Sequence, residues 1–211
     1  MPASGIQGTH DIPLGSHLCL FYRDPQEFLR VTASFLIAGL AEHQLCLWVL
    51  PSPITLQSAL DELSQHGVNG SLLQATEQLQ IVSAQDWFSG GTFSVEDALS
   101  RLAALPSLAG RLGYPSIRGV GGPGPFVSDA CRQAFMHYER HATPVIAEMP
   151  FIGLCCYAST ECLETDMFDI MSAHPRALLR AHVGWAGPVF NLRVPVSLPS
   201  FVLASIRQCL S

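Results

Sequence analysis

Lysine is absent from this 211-residue chain, and all eleven of its basic residues are arginine. Charge of either sign is scarce: 13% of residues are charged, against about 25% in an average soluble domain. With 17 acidic residues the formal charge is −6. Each shortage excludes something. A phosphate-binding P-loop needs a lysine to reach the phosphates, and Schiff-base chemistry needs the same amine. An acidic chain without a basic stripe is a poor nucleic-acid binder, because it has little with which to displace counterions from a phosphate backbone. No G-x-S-x-G elbow, H-E-x-x-H pair or C-x-x-C pair occurs. No apolar run approaches the roughly 18 residues needed to cross a bilayer. No basic-then-apolar leader opens the chain. These absences predict a cytoplasmic protein that touches neither membrane nor nucleic acid.

The cysteines, by contrast, are plentiful. Seven are scattered through the chain (Cys19, Cys46, Cys131, Cys155, Cys156, Cys162 and Cys209), an odd number without framework spacing, which predicts reduced thiols. Residues 1–14, rich in Gly, Pro and Ser, are expected to form a flexible arm. Residues 15–211 are expected to form a single domain, a length that buries a substantial core.

Along that domain, strand and helix patterns alternate. His17–Tyr22 is a short apolar strand. Asp24-Pro25-Gln26-Glu27 then supplies an N-cap acid, a first-turn proline and a capping-box glutamate, and Phe28, Val31, Phe35, Leu36 and Leu40 repeat at helical spacing. Leu45–Leu50 is continuously apolar, as a strand buried on both faces should be. Ser52-Pro53 is expected to open a second helix that Gly67 stops. Leu79–Ala84 is a third strand, followed by an aromatic loop over residues 86–91 that carries Trp87 and Phe88. Ser94 caps another helix, Ser116–Val120 is a fourth strand, and a Gly/Pro loop precedes a helix from Ser128 through His141. Phe151–Tyr157 is a strand, and Leu163, Met167, Ile170 and Met171 mark a helix ended by His174-Pro175. Ala177–Trp185 reads as one last strand. Residues 142–149 fit either strand or helix. The alternation predicts an α/β fold with a mostly parallel sheet and helices on both faces, and ligands in such folds sit beyond the carboxyl ends of the strands.

The chemistry-bearing residues are few. The string Gly119-Val-Gly-Gly-Pro-Gly124 matches G-x-G-x-x-G. However, Pro123 and Pro125 remove backbone donors and the loop follows the fourth strand, so a plain turn or ligand-lining loop is the better reading. His17 and Cys19 share one face of their strand, as do Cys155 and Tyr157 of theirs, with Cys156 pointing the other way. Tyr22 stands at a strand tip, and His174 begins the connection into the last strand. If these converge, imidazole, thiol and phenol could hold a soft metal, a haem edge or a small polar molecule. The competing readings are that each is a satisfied core residue, or that a Cys–His pair makes the chain a thiol enzyme.

The opening Gly15-Ser-His-Leu-Cys-Leu-Phe-Tyr22, the turn Gly39-Leu-Ala-Glu-His43, Ser116-Ile-Arg118-Gly, Tyr138-Glu139, Leu154-Cys-Cys-Tyr157 and His174-Pro175, in that order, resemble the MEDS (methanogen/methylotroph sensory) domain family over roughly residues 15–195. The resemblance implies a three-layer RecA/KaiC-like module without a P-loop, in which residues 142–149 are helical. It also implies a sensor of small hydrocarbon derivatives, usually coupled to transcription regulation or a kinase. His17, Cys19, Tyr22, Arg118, Cys155, Tyr157 and His174 fall on positions matching the family's motifs, and Trp87 joins them as a ligand-ordered aromatic. Two departures stand out: Gly121–Pro125 replaces a loop that usually carries an acid and an aromatic, and Ala158 replaces an aspartate. The chain is therefore expected to be a non-enzymatic sensory domain that binds a small molecule, metal or haem and signals through a protein partner or a homodimer. The alternative is a module that binds only protein.

Overall fold

A computed structural model of the chain describes residues 1–88, 93–126, 128–180 and 184–187. Seven strands form one sheet: β1 (Ser16–Tyr22), β2 (Leu45–Leu50), β3 (Leu79–Ser83), β4 (Ile117–Gly121), β5 (Phe151–Ala158), β6 (Arg176–Arg180) and β7 (Trp185–Ala186). Their order is β3-β2-β4-β5-β1-β6-β7, parallel throughout except for the β6–β7 pair. The α/β architecture with a mostly parallel sheet is therefore observed. The single last strand expected over residues 177–185 is instead two antiparallel strands. The left-handed backbone of Gly184 (φ 77°) lies in the turn between them.

The first helix, α1 (Pro25–Ala41), forms where its caps predict. Asp24 Oδ1 accepts from the Glu27 N–H at 2.8 Å, and Glu27 Oε2 accepts from the Arg23 N–H at 2.8 Å. Both carboxylates stand at the loop after β1, and Asp24 satisfies the otherwise orphaned N–H of Glu27 in the first turn. Glu27 also pairs with Arg180 of β6. Phe28, Leu29, Phe35 and Leu36 bury one face of α1. At about 1.5–3 kcal/mol for each large apolar side chain, docking on the sheet outweighs helix propensity.

The second helix, α2 (Leu56–Gln65), starts three residues later than Ser52-Pro53 suggests. Thr55 and Ser58 form the reciprocal capping box there. A short α3 (Gly70–Ala75) follows, and α4 (Ala84–Phe88) occupies part of the expected aromatic loop, whose residues 89–92 lie outside the described set. The next two helices are α5 (Val95–Leu112) and α6 (Asp129–Ala147). The latter continues through Pro144, so residues 142–147 are helix. The last is α7 (Glu164–Ala173).

The sheet divides two apolar layers, as period-two alternation requires. Leu18, Leu20, Tyr22 and Cys156 face α1 and α2. Cys19, Phe21 and Tyr157 face α5, α6 and α7. Among the described residues, no helix is long and apolar enough to cross a membrane.

Residues 1–14, expected as a flexible arm, are packed on the body. Ile6 and Ile12 are buried, and the Ala3 N–H donates to Glu42 Oε1 at 2.7 Å. Much of the reason is Arg118, a fully buried guanidinium on β4. Its Nε donates to Gln44 Oε1 (2.7 Å), and its Nη1 donates to the carbonyls of Phe35 (3.0 Å) and Ala3 (2.8 Å). Burial pushes its pKa down, opposed by its ionisable neighbours Cys46 and Glu42. Gly39 makes the room: a Cβ there would lie 2.8 Å from Arg118 Cδ and Nε. Replacing Arg118 with Ala strands these acceptors and the Glu42 carboxylate. We expect Arg118→Ala to lose about 3 kcal/mol of unfolding free energy and to expose residues 1–14 to protease at native temperature, read by denaturant titration and limited proteolysis.

Candidate functional site

The polar residues of the sequence reading converge in the middle of the sheet, beneath α6, and away from the carboxyl tips of the strands. His17 of β1 is buried. Its Nδ1 lies 2.8 Å from Thr143 Oγ1, and its Nε2 lies 3.2 Å from Cys155 Sγ and 3.3 Å from Glu139 Oε2. His174, buried where α7 gives way to β6, packs against the His17 ring at a centroid separation of 4.2 Å and a tilt of 43°. Its Nδ1 is 2.7 Å from the Ile170 carbonyl, and its Nε2 is 3.4 Å from Glu139 Oε2. Tyr157 donates its hydroxyl to Glu139 Oε1 at 2.7 Å. Cys155 Sγ is 3.7 Å from Glu139 Oε2.

Hydrogen-bond counting fixes the tautomers. The Ile170 carbonyl can only accept, so His174 Nδ1 carries a proton. Thr143 Oγ1 spends its one proton on the Ala173 carbonyl at 2.7 Å and must accept from His17 Nδ1. In their neutral forms both imidazoles therefore turn Nε2 lone pairs towards the Glu139 carboxylate. For His174 Nε2 that approach is not a hydrogen bond, and the atom is buried without a hydrogen-bond partner.

Burial sets the electrostatics. It lowers the pKa of His17, with His174 adding to the effect and Glu139 opposing it. Burial pushes the Glu139 carboxyl up, while the positive charge of a protonated imidazole, His174 foremost, and the hydrogen bonds such imidazoles donate pull it well below the carboxylate range. Burial raises the Cys155 thiol, and the neighbouring Glu139 charge raises it further. Burial also raises Cys19 and Cys156, with Glu139 contributing at Cys19 and Cys19 at Cys156.

Of the expected site residues, His17, Cys155, Tyr157 and His174 meet, and Cys19 lies on their face, opposite Cys155 in the β1–β5 register. Trp87, on α4, lines a cavity of about 60 Å³ that His17 and Cys155 also bound. Tyr22 does not join them: five residues from His17 on a strand, it faces the other layer and packs edge-on against Phe28 at 5.2 Å. Arg118 also sits in that other layer, near the amino ends of the strands, with Nη1 donating to backbone carbonyls, Nε donating to Gln44, and Nη2 without a hydrogen bond 3.6 Å from Glu42 Oε2. The haem-edge expectation fails at this cluster, because a 60 Å³ cavity cannot admit a porphyrin. Of the Gly119–Gly124 string, residues 119–121 belong to β4 and line the 60 Å³ cavity, and a Cβ on Gly122 would lie 1.9 Å from the Cys156 carbonyl oxygen. A wider cleft of about 550 Å³ opens at the carboxyl ends of β2 and β3, lined by Ser52, Thr55, Pro123, Pro125 and Phe126 among others. It gathers none of the His/Glu/Cys cluster.

Sequence reading missed Glu139 and Thr143 as site residues. A signal was available: on α6, Phe135, Glu139, Ala142 and Ile146 share one stripe, and a charged residue on an apolar stripe needs an internal partner.

A mostly parallel α/β core whose first helix is capped by its own carboxylate, with the polar cluster under a later helix, is the frame in which the site stands. The family model described as "MEDS: MEthanogen/methylotroph, DcmR Sensory domain" matches residues 16–175, and the chain belongs to that family. Among solved structures, the chain is similar to the KaiC-like protein PH0186 from Pyrococcus horikoshii OT3, with a TM-score of 0.57 at 12% identity, covering 87% of this chain and 84% of that one. That likeness shows the shared fold. No curated protein matches the sequence.

The raised thiols bear on the thiol-enzyme alternative, which needs an activated thiolate. Cys131 and Cys155 are both partly buried, but burial and the Glu139 charge hold up the Cys155 thiol, so iodoacetamide under native conditions should label Cys131 well before Cys155 and the buried Cys19 and Cys156, read by peptide mass spectrometry. Rapid labelling of Cys155 would restore the nucleophile reading.

Proposed function

We propose that this sensory domain detects a small, uncharged, mostly apolar molecule, held in the cavity between the sheet and helices α5 and α6. The supporting observation is the make-up of that cavity. Leu47, Val49, Leu105, Ile146 and Phe151 form an apolar body, while His17 and Cys155 supply the polar group at one end. Few polar groups set in an apolar enclosure is the usual design of a small-molecule site. A volume of about 60 Å³ suits a molecule of a few heavy atoms, since a single water needs about 10–15 Å³ of such space. The family's association with small hydrocarbon derivatives agrees with this size.

The cavity wall also suggests how occupancy is reported. Trp87 and Phe88 of α4 line it, and Phe88 stacks edge-on with Phe135 (5.0 Å) and Tyr138 (5.7 Å) of α6. Arg101 of α5 donates to the Trp87 carbonyl at 2.8 Å. A ligand that pushes on Trp87 therefore moves a joint shared by three helices, and the signal leaves through a protein partner or a second copy of the chain. A ligand shifts that equilibrium only by its difference in affinity for the two arrangements.

The test is calorimetric titration of metal-free protein with ethanol and ethanethiol, with acetate as a charged control. Wild type should bind the neutral probes and not acetate. Leu105→Phe, which fills the cavity, should abolish binding. His17→Ala should weaken it about fivefold, the worth of one hydrogen bond. Equal binding to all three proteins, or to none, overturns the reading.

A further inference from the structure

The His17–Glu139–Cys155–His174 cluster has the composition and spacing of a metal-ion site. Four elements deliver one donor atom each: Nε2 of His17 from β1, Oε2 of Glu139 from α6, Sγ of Cys155 from β5, and Nε2 of His174 from the α7–β6 connection. All four atoms lie within 4.8 Å of one another. Ligands at about 2.0–2.3 Å from a tetrahedral ion stand about 3.3–3.8 Å apart. The separations here are 3.2 Å for His17–Cys155, 3.3 Å for His17–Glu139, 3.4 Å for His174–Glu139 and 3.7 Å for Cys155–Glu139.

Two independent features point the same way. The first is the outer shell. Each histidine uses Nδ1 on a fixed acceptor, Thr143 Oγ1 or the Ile170 carbonyl, and so offers Nε2 to the centre, as metal-ligating histidines do. The second is His174 Nε2, a buried nitrogen without a hydrogen-bond partner that faces the carboxylate. A lone pair facing an anion in a dry interior is unfavourable, and a cation between them reverses the sign. Charge closes the argument: one carboxylate, one thiolate and two neutral imidazoles cancel a divalent ion, so the loaded site is neutral in a low-dielectric setting.

We propose that these four residues bind one divalent ion of the zinc type. The set mixes nitrogen, sulfur and a single oxygen donor, which favours zinc, cobalt(II) or iron(II) over magnesium or calcium. On binding, the Cys155 S–H proton leaves to solvent as the sulfur–metal bond forms, and no electron is transferred. The ion would sit beside the apolar cavity, because His17 and Cys155 bound both. The proposal deepens the ligand reading by naming what lies at the cavity's polar end, but it rests on the donors and not on the cavity.

The experiment is refolding of the full chain from denaturant in the presence of Co2+, which bypasses slow entry to a buried site. One Co2+ should be retained per chain, with the visible bands of a four-coordinate ion and a thiolate-to-cobalt charge-transfer band. Zn2+ should displace it. Cys155→Ser should lose the charge-transfer band and keep bound metal at reduced affinity. Thr143→Val touches no donor atom, and by releasing the His17 tautomer it should weaken Co2+ binding by about 10–100-fold. Failure of wild type to retain Co2+ overturns the proposal. So does a cobalt signal indifferent to Cys155→Ser and Thr143→Val but abolished by His137→Gln with His141→Gln, the adjacent imidazole pair on α6. Co2+ uptake is read without an organic probe, and the cavity titration is read without metal, so each reading falls by its own measurement.

Discussion

The carboxylate of Glu139 is the constraint on which this structure turns. An ionised group in a dry interior is tolerated only with full compensation. Here Tyr157 of β5 donates to one oxygen, while His17 of β1 and His174 of the α7–β6 connection face the other with Nε2 atoms that compensate it only when they carry a proton or share a cation with it. The helix that carries Glu139 is thereby fixed in rotation and height over the central strands. Thr143, one turn on, ties the same helix to His17 and to the Ala173 carbonyl. One charge thus locks the position of α6 to the two central strands and to the chain entering β6. Anything that changes the charge balance at that point acts on all of them together.

The rest of the fold explains why chemistry sits at mid-sheet. The loop after β1 leads straight into the start of α1. Asp24 and Glu27 stand there, and Glu27 is held in turn by Arg180. Negative side chains at a helix N-terminus satisfy the N–H groups that a phosphate would otherwise attract. At the other end of the sheet Arg118 donates to backbone carbonyls, which draws residues 1–14 onto the body. The enclosed space under α6 is where the cluster meets a cavity, apart from the wider cleft at the carboxyl ends of β2 and β3.

Much of this was legible along the chain. Continuous apolar runs such as Leu45–Leu50 and Phe151–Tyr157 identify doubly buried strands, and the Asp24–Glu27 cap places the start of α1. His17 with Cys19 and Cys155 with Tyr157 were correctly paired by face, because a strand has a strict period of two. What misled was reading a loop or arm by composition. The Gly/Pro-rich opening carries Ile6 and Ile12, whose burial is decided by a guanidinium more than a hundred residues away. Tyr22 and Arg118 belong to the same sequence motifs as the cluster, yet a change of strand face removes each from it.

By itself, then, the sequence determined the alternating α/β architecture, the lack of a P-loop lysine and the face on which each strand residue stands. These depend on local periodicity and on which side chains exist at all. Only the tertiary structure decided that Glu139, from a helix, sits at the centre of residues from β1, β5 and the approach to β6, and that Arg118 is a strut. Convergence of that kind depends on strand order and helix placement, which bring together positions separated by 16 to 157 residues, and no local pattern encodes those distances.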